Sequence, residues 1–143
     1  MATIYPTLNT KLKEILESIS EIASVYSYPT SKIDSYPSAI FYPTAFENSF
    51  ETPSENFKIY RYTLWVVVNS QGTTVENVFK EIMPKTLDAV LQKLDDEWDF
   101  DTIDGHRVWT KINTGGWTVS EENAGVEVTS EIDLSVKMLT DLS

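Results

Sequence analysis

The densest chemistry-bearing segment is Asp95, Asp96, Glu97, Asp99, Asp101 and Asp104, six acids within ten residues. The run Asp99-Phe100-Asp101-Thr102-Ile103-Asp104-Gly105 approaches a calcium loop, in which spaced carboxylates and a turn glycine wrap a hard cation. It departs from that pattern twice. The third acid is displaced by one residue, and Thr110 stands where a bidentate glutamate must close the cage. The spacing therefore predicts a solvated acidic turn over 95–106, with at most a loosely held divalent cation. A second set, Glu127, Glu131 and Asp133, shares one face of a strand-like segment and offers the paired carboxylates of glycoside hydrolysis. Trp109 and Trp117 are the aromatics that could stack a sugar beside them. His106, the single histidine, could serve Glu131 or Asp133 as a general base in a small hydrolase. No nucleophile motif stands near it. Gly115-Gly116 leads into a strand, and Gln71-Gly72 precedes a helix without a lysine, so neither is a phosphate loop. The absence of cysteine excludes thiolate catalysis, disulfides and zinc–thiolate sites. No catalytic residue, cofactor or metal ligand is assigned.

These side chains must be carried by elements that the apolar spacing defines. Leu8, Leu12, Ile15, Leu16, Ile19 and Ile22 mark one face of an amphipathic helix, with Pro6 in its first turn. Residues 38–46 have strand composition, and Pro43 requires an edge or a bulge there. Residues 47–56 are polar and read as a loop. Residues 57–69 are the strongest strand: Tyr60, Tyr62, Leu64, Val66 and Val68 form a wholly apolar face, which predicts a central position. A second helix opens at a Thr73-x-x-Glu76 capping box. Its stripe Val75, Val78, Phe79 and Ile82 is out of phase by roughly 100° with Leu87, Val90, Leu91 and Leu94. With Pro84 between them, a kink or break is expected near residues 82–85. Arg107 onward reads as a hairpin, with a turn or bulge at Gly115-Gly116 and another turn at Glu121-Glu122. From Gly125 the alternation buries Val126, Val128, Ile132, Leu134, Val136 and Met138 and exposes Glu127, Glu131 and Asp133. The expected fold is α+β: one domain over 1–143, an antiparallel sheet, and an N-terminal helix and kinked second helix packed on one face.

Net charge narrows the partners. Twenty-two acids against 11 bases leave −11, which argues against sequence-specific nucleic-acid binding. No long apolar run or leader-like N-terminus is present, so a soluble, non-membrane protein is expected. All seven tyrosines precede residue 63. Tyr36 and Tyr42, with Phe50 and Trp117, are candidate subunit-interface aromatics, since a ring with a polar tip suits a wet interface.

The order of features has a counterpart. An amphipathic N-terminal helix precedes Tyr36-Pro37-Ser38-Ala39-Ile40-Phe41-Tyr42-Pro43. The strand FKIYRYTLWVVV, a helix ending in acids, and Gly116-Trp117-Thr118 before GVEVTSEIDLSVKM then follow. This layout resembles the tail terminator, or tail completion, proteins of long-tailed bacteriophages. The resemblance implies a non-enzymatic virion protein, made in the host cytoplasm, that forms a homo-oligomeric ring, usually a hexamer. Its partners would be the tail tube protein and a head-completion or neck protein. The ring would cap the tube and offer the head-joining surface. In such a ring Glu127, Glu131 and Asp133, or the acidic turn with Asp99 and Asp101, would line the lumen. Another neck component, or a small-molecule-binding domain with an aromatic pocket between sheet and kinked helix, is the alternative.

Overall fold

The structure, a computed structural model, describes residues 4–52, 55–122 and 125–141. Helix α1 (Ile4–Glu17) is followed by β1 (Ser24–Tyr26), β2 (Ser38–Thr52) and β3 (Glu55–Asn69). A second helical stretch comprises α2 (Val75–Asn77), a π-helical turn (Val78–Ile82) and α3 (Met83–Asp96). Strands β4 (Asp99–Ile103), β5 (His106–Glu122) and β6 (Gly125–Asp141) complete the chain. The fold is α+β, with all six strands in one sheet of order β1-β2-β3-β6-β5-β4.

The sheet is mixed, not antiparallel as the sequence suggested. Strand β1 pairs in parallel with β2, Ser24 opposite Ser38 and Tyr26 opposite Ile40. Parallel neighbours need a crossover, and residues 27–37 supply it. Three residues carry no periodicity, which is why this strand is invisible in the sequence.

Period-two alternation divides the two long central strands into faces. Tyr60, Tyr62, Leu64, Val66 and Val68 of β3 join Val128, Ile132, Leu134, Val136 and Met138 of β6 in one buried cluster. Leu8, Leu12 and Leu16 of α1, at most 1% exposed, belong to the same cluster. Burying each leucine contributes about 1.5–3 kcal/mol. The phenol of Tyr62 donates to Asn9 Oδ1 at 2.7 Å, tying α1 to β3. Burial, with smaller contributions from Tyr5 and Tyr60, pushes that phenol above its ordinary pKa.

The phase mismatch in the second helix has a specific solution. A π turn accommodates one extra residue, which rotates everything after it by about 100°. Here the Met83 N–H donates to the Val78 carbonyl, five residues back. Val78 and Met83 are both fully buried, and Thr86, Leu87, Val90 and Leu94 follow them into the interior. Val75, expected on the stripe, is 41% exposed. Pro84 sits in the first turn of α3, where its missing N–H matters least. The cap also shifts by one: Thr74 Oγ1 accepts from the Asn77 N–H at 3.0 Å.

Four segments read as loops or turns are wholly or mostly strand. Residues 47–52 and 55–56 extend β2 and β3, so the polar loop expected over 47–56 is mostly hairpin; Pro53 and Ser54 lie outside the described residues. Of the acidic turn expected over 95–106, Asp95 and Asp96 end α3, and strand β4 with a two-residue turn replaces the rest. Asp104 and Gly105 have φ of 54° and 79°, the positive pair that a tight hairpin turn demands. Strand β5 runs through Gly115-Gly116, and Glu121-Glu122 still pair with Val126 and Gly125. A Cβ on Gly115 would lie 3.0 Å from the Glu131 carbonyl oxygen, so glycine there permits close strand approach. Pro43 meets both conditions set for it: β1 no longer covers β2 beyond Ile40, and the β2 bulge falls between Pro43 and Ala45.

The π turn makes Met83 and Val75 a discriminating pair. Met83→Ala is expected to cost about 2–4 kcal/mol in urea denaturation, and Val75→Ala less than about 0.5 kcal/mol. An uninterrupted α-helix would give the reverse order.

Candidate functional site

The β3–β6 register places Trp65 beside Glu131 and Val67 beside Thr129 on the face opposite the core. The β5–β6 register puts Gly116 and Thr118 on their other side. The crossover lies over this end of the face and buries Ile40 and Val67, which are 1% and 2% exposed. Between crossover and sheet lies a half-open cleft of about 420 Å³, walled by Tyr36, Trp65, Glu127 and Glu131. Tyr42 meets the Trp65 ring edge-on at 5.7 Å and holds it upright.

Further along the same face, polar groups neutralise one another. Arg61 Nε donates to Glu47 Oε2 at 2.5 Å, and its Nη1 lies 3.4 Å from Ser135 Oγ and 3.9 Å from Asp133. Asn113 Nδ2 donates to Ser135 Oγ at 2.6 Å and reaches Asp133 at 3.4 Å. Two bulges flank this cluster. The β2 ladder shifts beside Arg61 and Tyr62, and the β5 ladder shifts beside Asp133 and Leu134. The extra residue in β5 is Asn113, and the bulge aims its amide at the cluster.

Of the acids of 95–104, Asp95 and Asp96 end α3, Glu97 caps it, and Asp99, Asp101 and Asp104 lie on the β4 hairpin at the far edge of the sheet. Arg107 donates to Asp99 Oδ1 and to the Asp101 carbonyl, and its guanidinium lies 5.9 Å from the Trp98 ring centroid. The Asp101 N–H donates to Asp99 Oδ1 at 2.8 Å, with Asp101 at φ 61°. The Arg107 hydrogen bond, then the Asp101 N–H, hold the Asp99 carboxyl below its ordinary pKa. Among the described residues, no three His, Cys, Asp or Glu are grouped to hold a metal ion.

The expected site residues therefore separate. Glu127 and Glu131 share the cleft, Asp133 belongs to the Arg61 cluster, and Asp99 and Asp101 form the β4 edge. A hydrolase built on His106 is excluded by register: Asp133 pairs with Thr114 and Glu131 with Gly116. Eight to ten residues of strand, about 26–33 Å, separate them from His106. Trp117 points to the opposite face from Glu131 and stacks on Phe79 at 6.2 Å, so it cannot serve those carboxylates. Trp109 packs edge-on against Phe57 at 5.9 Å. Tyr36 and Tyr42 are half-buried at the cleft, and the side chain of Phe50 lies outside the described residues. The small cavity between α3 and the sheet, about 250 Å³, is lined by Leu87, Leu91, Ile112 and Trp117 among others. Sequence reading missed Trp65 as a partner of Glu131. Only cross-strand register joins residues so far apart in the chain.

Because the folded carboxyl of Asp99 titrates lower than the unfolded one, its pairing stabilises the protein above the unfolded value of about 3.9. That contribution fades as pH falls through the folded pKa. Carboxyl-detected NMR titration is expected to place Asp99 below ordinary aspartates, and Arg107→Gln to raise it toward about 3.9. No helix among the described residues is long and apolar enough to cross a membrane. Compared with models of protein families and with curated proteins, the chain matches none.

Proposed function

We propose that this chain is a structural assembly subunit that closes head-to-tail into a ring, as a tail terminator of a long-tailed bacteriophage. The observation that carries the reading is a pair of exposed aromatic corners on the helix-bearing face of the sheet. Phe46 is 71% exposed beside Tyr5 and Pro43 at one corner. Trp117 and Val119 are 43% and 54% exposed at the other, with Phe79 stacked on Trp117. Phe46 pairs with Tyr60 and thereby aligns with Val136, whereas Trp117 pairs with Ser130. The corners are thus offset by about 20 Å along the strands and about 14 Å across them.

Their exposure follows from position across the sheet: Phe46 lies on β2 and Trp117 on β5, flanking strands, whereas their partners Tyr60 and Ser130 on the central strands are buried. Two different apolar patches on one subunit favour a heterologous contact, which closes into a ring when the rotation permits. The β4 edge is suited to the lumen. Asp99, Asp101 and Asp104 are exposed there, with Asp95, Asp96 and Glu97 exposed at the adjoining end of α3, and a short, bulged, acidic edge resists strand pairing and repels DNA passing through. In this reading the tail tube and a head-completion or neck protein bind the two rims, and binding replaces catalysis.

Subunit mixing tests the head-to-tail contact. Phe46→Asp and Trp117→Asp each remove one corner, and each loss is expected to weaken assembly by about thirty-fold or more. By analytical ultracentrifugation each variant alone should remain a monomer, while an equimolar mixture should form a dimer and stop. Assembly unaffected by both substitutions would overturn the proposal.

A further inference from the structure

The cleft under the crossover combines features that the ring reading does not use. Its floor is apolar, Ile40 and Val67, and one wall is the indole of Trp65, fixed edge-on by Tyr42 at 5.7 Å. Glu131 lies directly across from Trp65 in the ladder. Its other neighbour is Gly116, where a Cβ would meet nothing within 4 Å. Glu131 therefore has the Trp65 indole as one cross-strand neighbour and a glycine with open space above it as the other. Glu131 takes part in no ion pair among the described residues. Neither lysine, arginine nor histidine lines the cleft. Glu127 adds a second carboxylate four residues away on the same face, about 13 Å along the strand.

We infer that this cleft binds an organic cation, a guanidinium or primary ammonium on a short hydrocarbon stem. The stem lies on Ile40, Val67 and the Trp65 ring. The charged head meets Glu131, where carboxylate and indole both attract it. The acidic protein as a whole raises the local concentration of such cations. A neutral molecule of the same shape gains only the apolar part of this interaction, and an anion is repelled. The cation has two natural sources, a free small molecule or the arginine or lysine side chain of a partner protein.

The test is an NMR titration of the full chain at low salt, following the Trp65 indole N–H, assigned from a Trp65→Phe spectrum. The probes are butylguanidinium chloride, its neutral counterpart butylurea, and the peptide acetyl-Gly-Arg-Gly-amide. Butylguanidinium is expected to saturate with a dissociation constant on the order of millimolar. Glu131→Gln should weaken it roughly five-fold or more, whereas Glu121→Gln, the same charge change at an exposed position outside the cleft, should not. Glu131 is exposed, so its replacement leaves the core intact. A peptide that binds about ten-fold tighter than butylguanidinium identifies a protein side chain as the source; equal affinities identify a free cation. Equal binding of butylurea, absence of saturation by about 50 mM, or indifference to Glu131→Gln would overturn the inference.

Discussion

The register between β3 and β6 is the constraint on which the rest of the molecule depends. From Glu55 opposite Asp141 to Asn69 opposite Glu127 the ladder runs without a shift. Because side chains alternate, a slip of one residue would put Tyr62 and Leu64 on the opposite face from Ile132 and Leu134. The core cluster forbids that slip, since α1 and α3 contribute their buried leucines to the same cluster. The same register, seen from the other face, puts Trp65 against Glu131 and Arg61 against Ser135. Core and outer surface are two consequences of one alignment.

Departures from regular geometry lie outside that central ladder. The bulges in β2 and β5 fall at the same level, beside Tyr62 and Leu134, so irregularity is carried by the flanking strands. The parallel β1 requires a crossover, and the crossover turns part of an exposed sheet face into a cleft. On the helix side the π turn brings Met83 onto the core side of a helix whose two stripes would otherwise diverge. Each irregular feature reconciles a local sequence preference with the central pairing.

Much of this was legible in the residues. The alternation after Gly125, the apolar face of 57–69 and the leucine stripe of the first helix each predicted an element that is present, whereas the kink or break expected at residues 82–85 is replaced by a π turn at Val78–Ile82. Other elements carried no comparable signal. The segment 47–52 is polar apart from Phe50, so it carries no strand periodicity. Asp104-Gly105 is itself a hairpin-turn dipeptide, but the acids around it give the same stretch the spacing of a partial calcium loop. Gly115-Gly116 read as a turn or bulge; the strand runs through it, the bulge falls just before it at Asn113, and the need for close approach to the Glu131 carbonyl belongs to a partner strand. The cleft was unreadable for the same reason: Tyr36, Trp65 and Glu131 meet only through crossover and register.

The proposed assembly role rests on what the fold leaves uncovered. Phe46 and Trp117 stay exposed on the flanking strands, and in the proposed ring such apolar contacts bring like-charged copies together. Magnesium would ease that repulsion by screening the acidic edges. Native mass spectrometry across a concentration series, with and without magnesium, tests self-assembly most directly. The account predicts a discrete closed oligomer, six copies in the tail terminator reading, that becomes more populated with concentration and magnesium. A strict monomer under every condition, or a two-fold dimer that never grows, would contradict it.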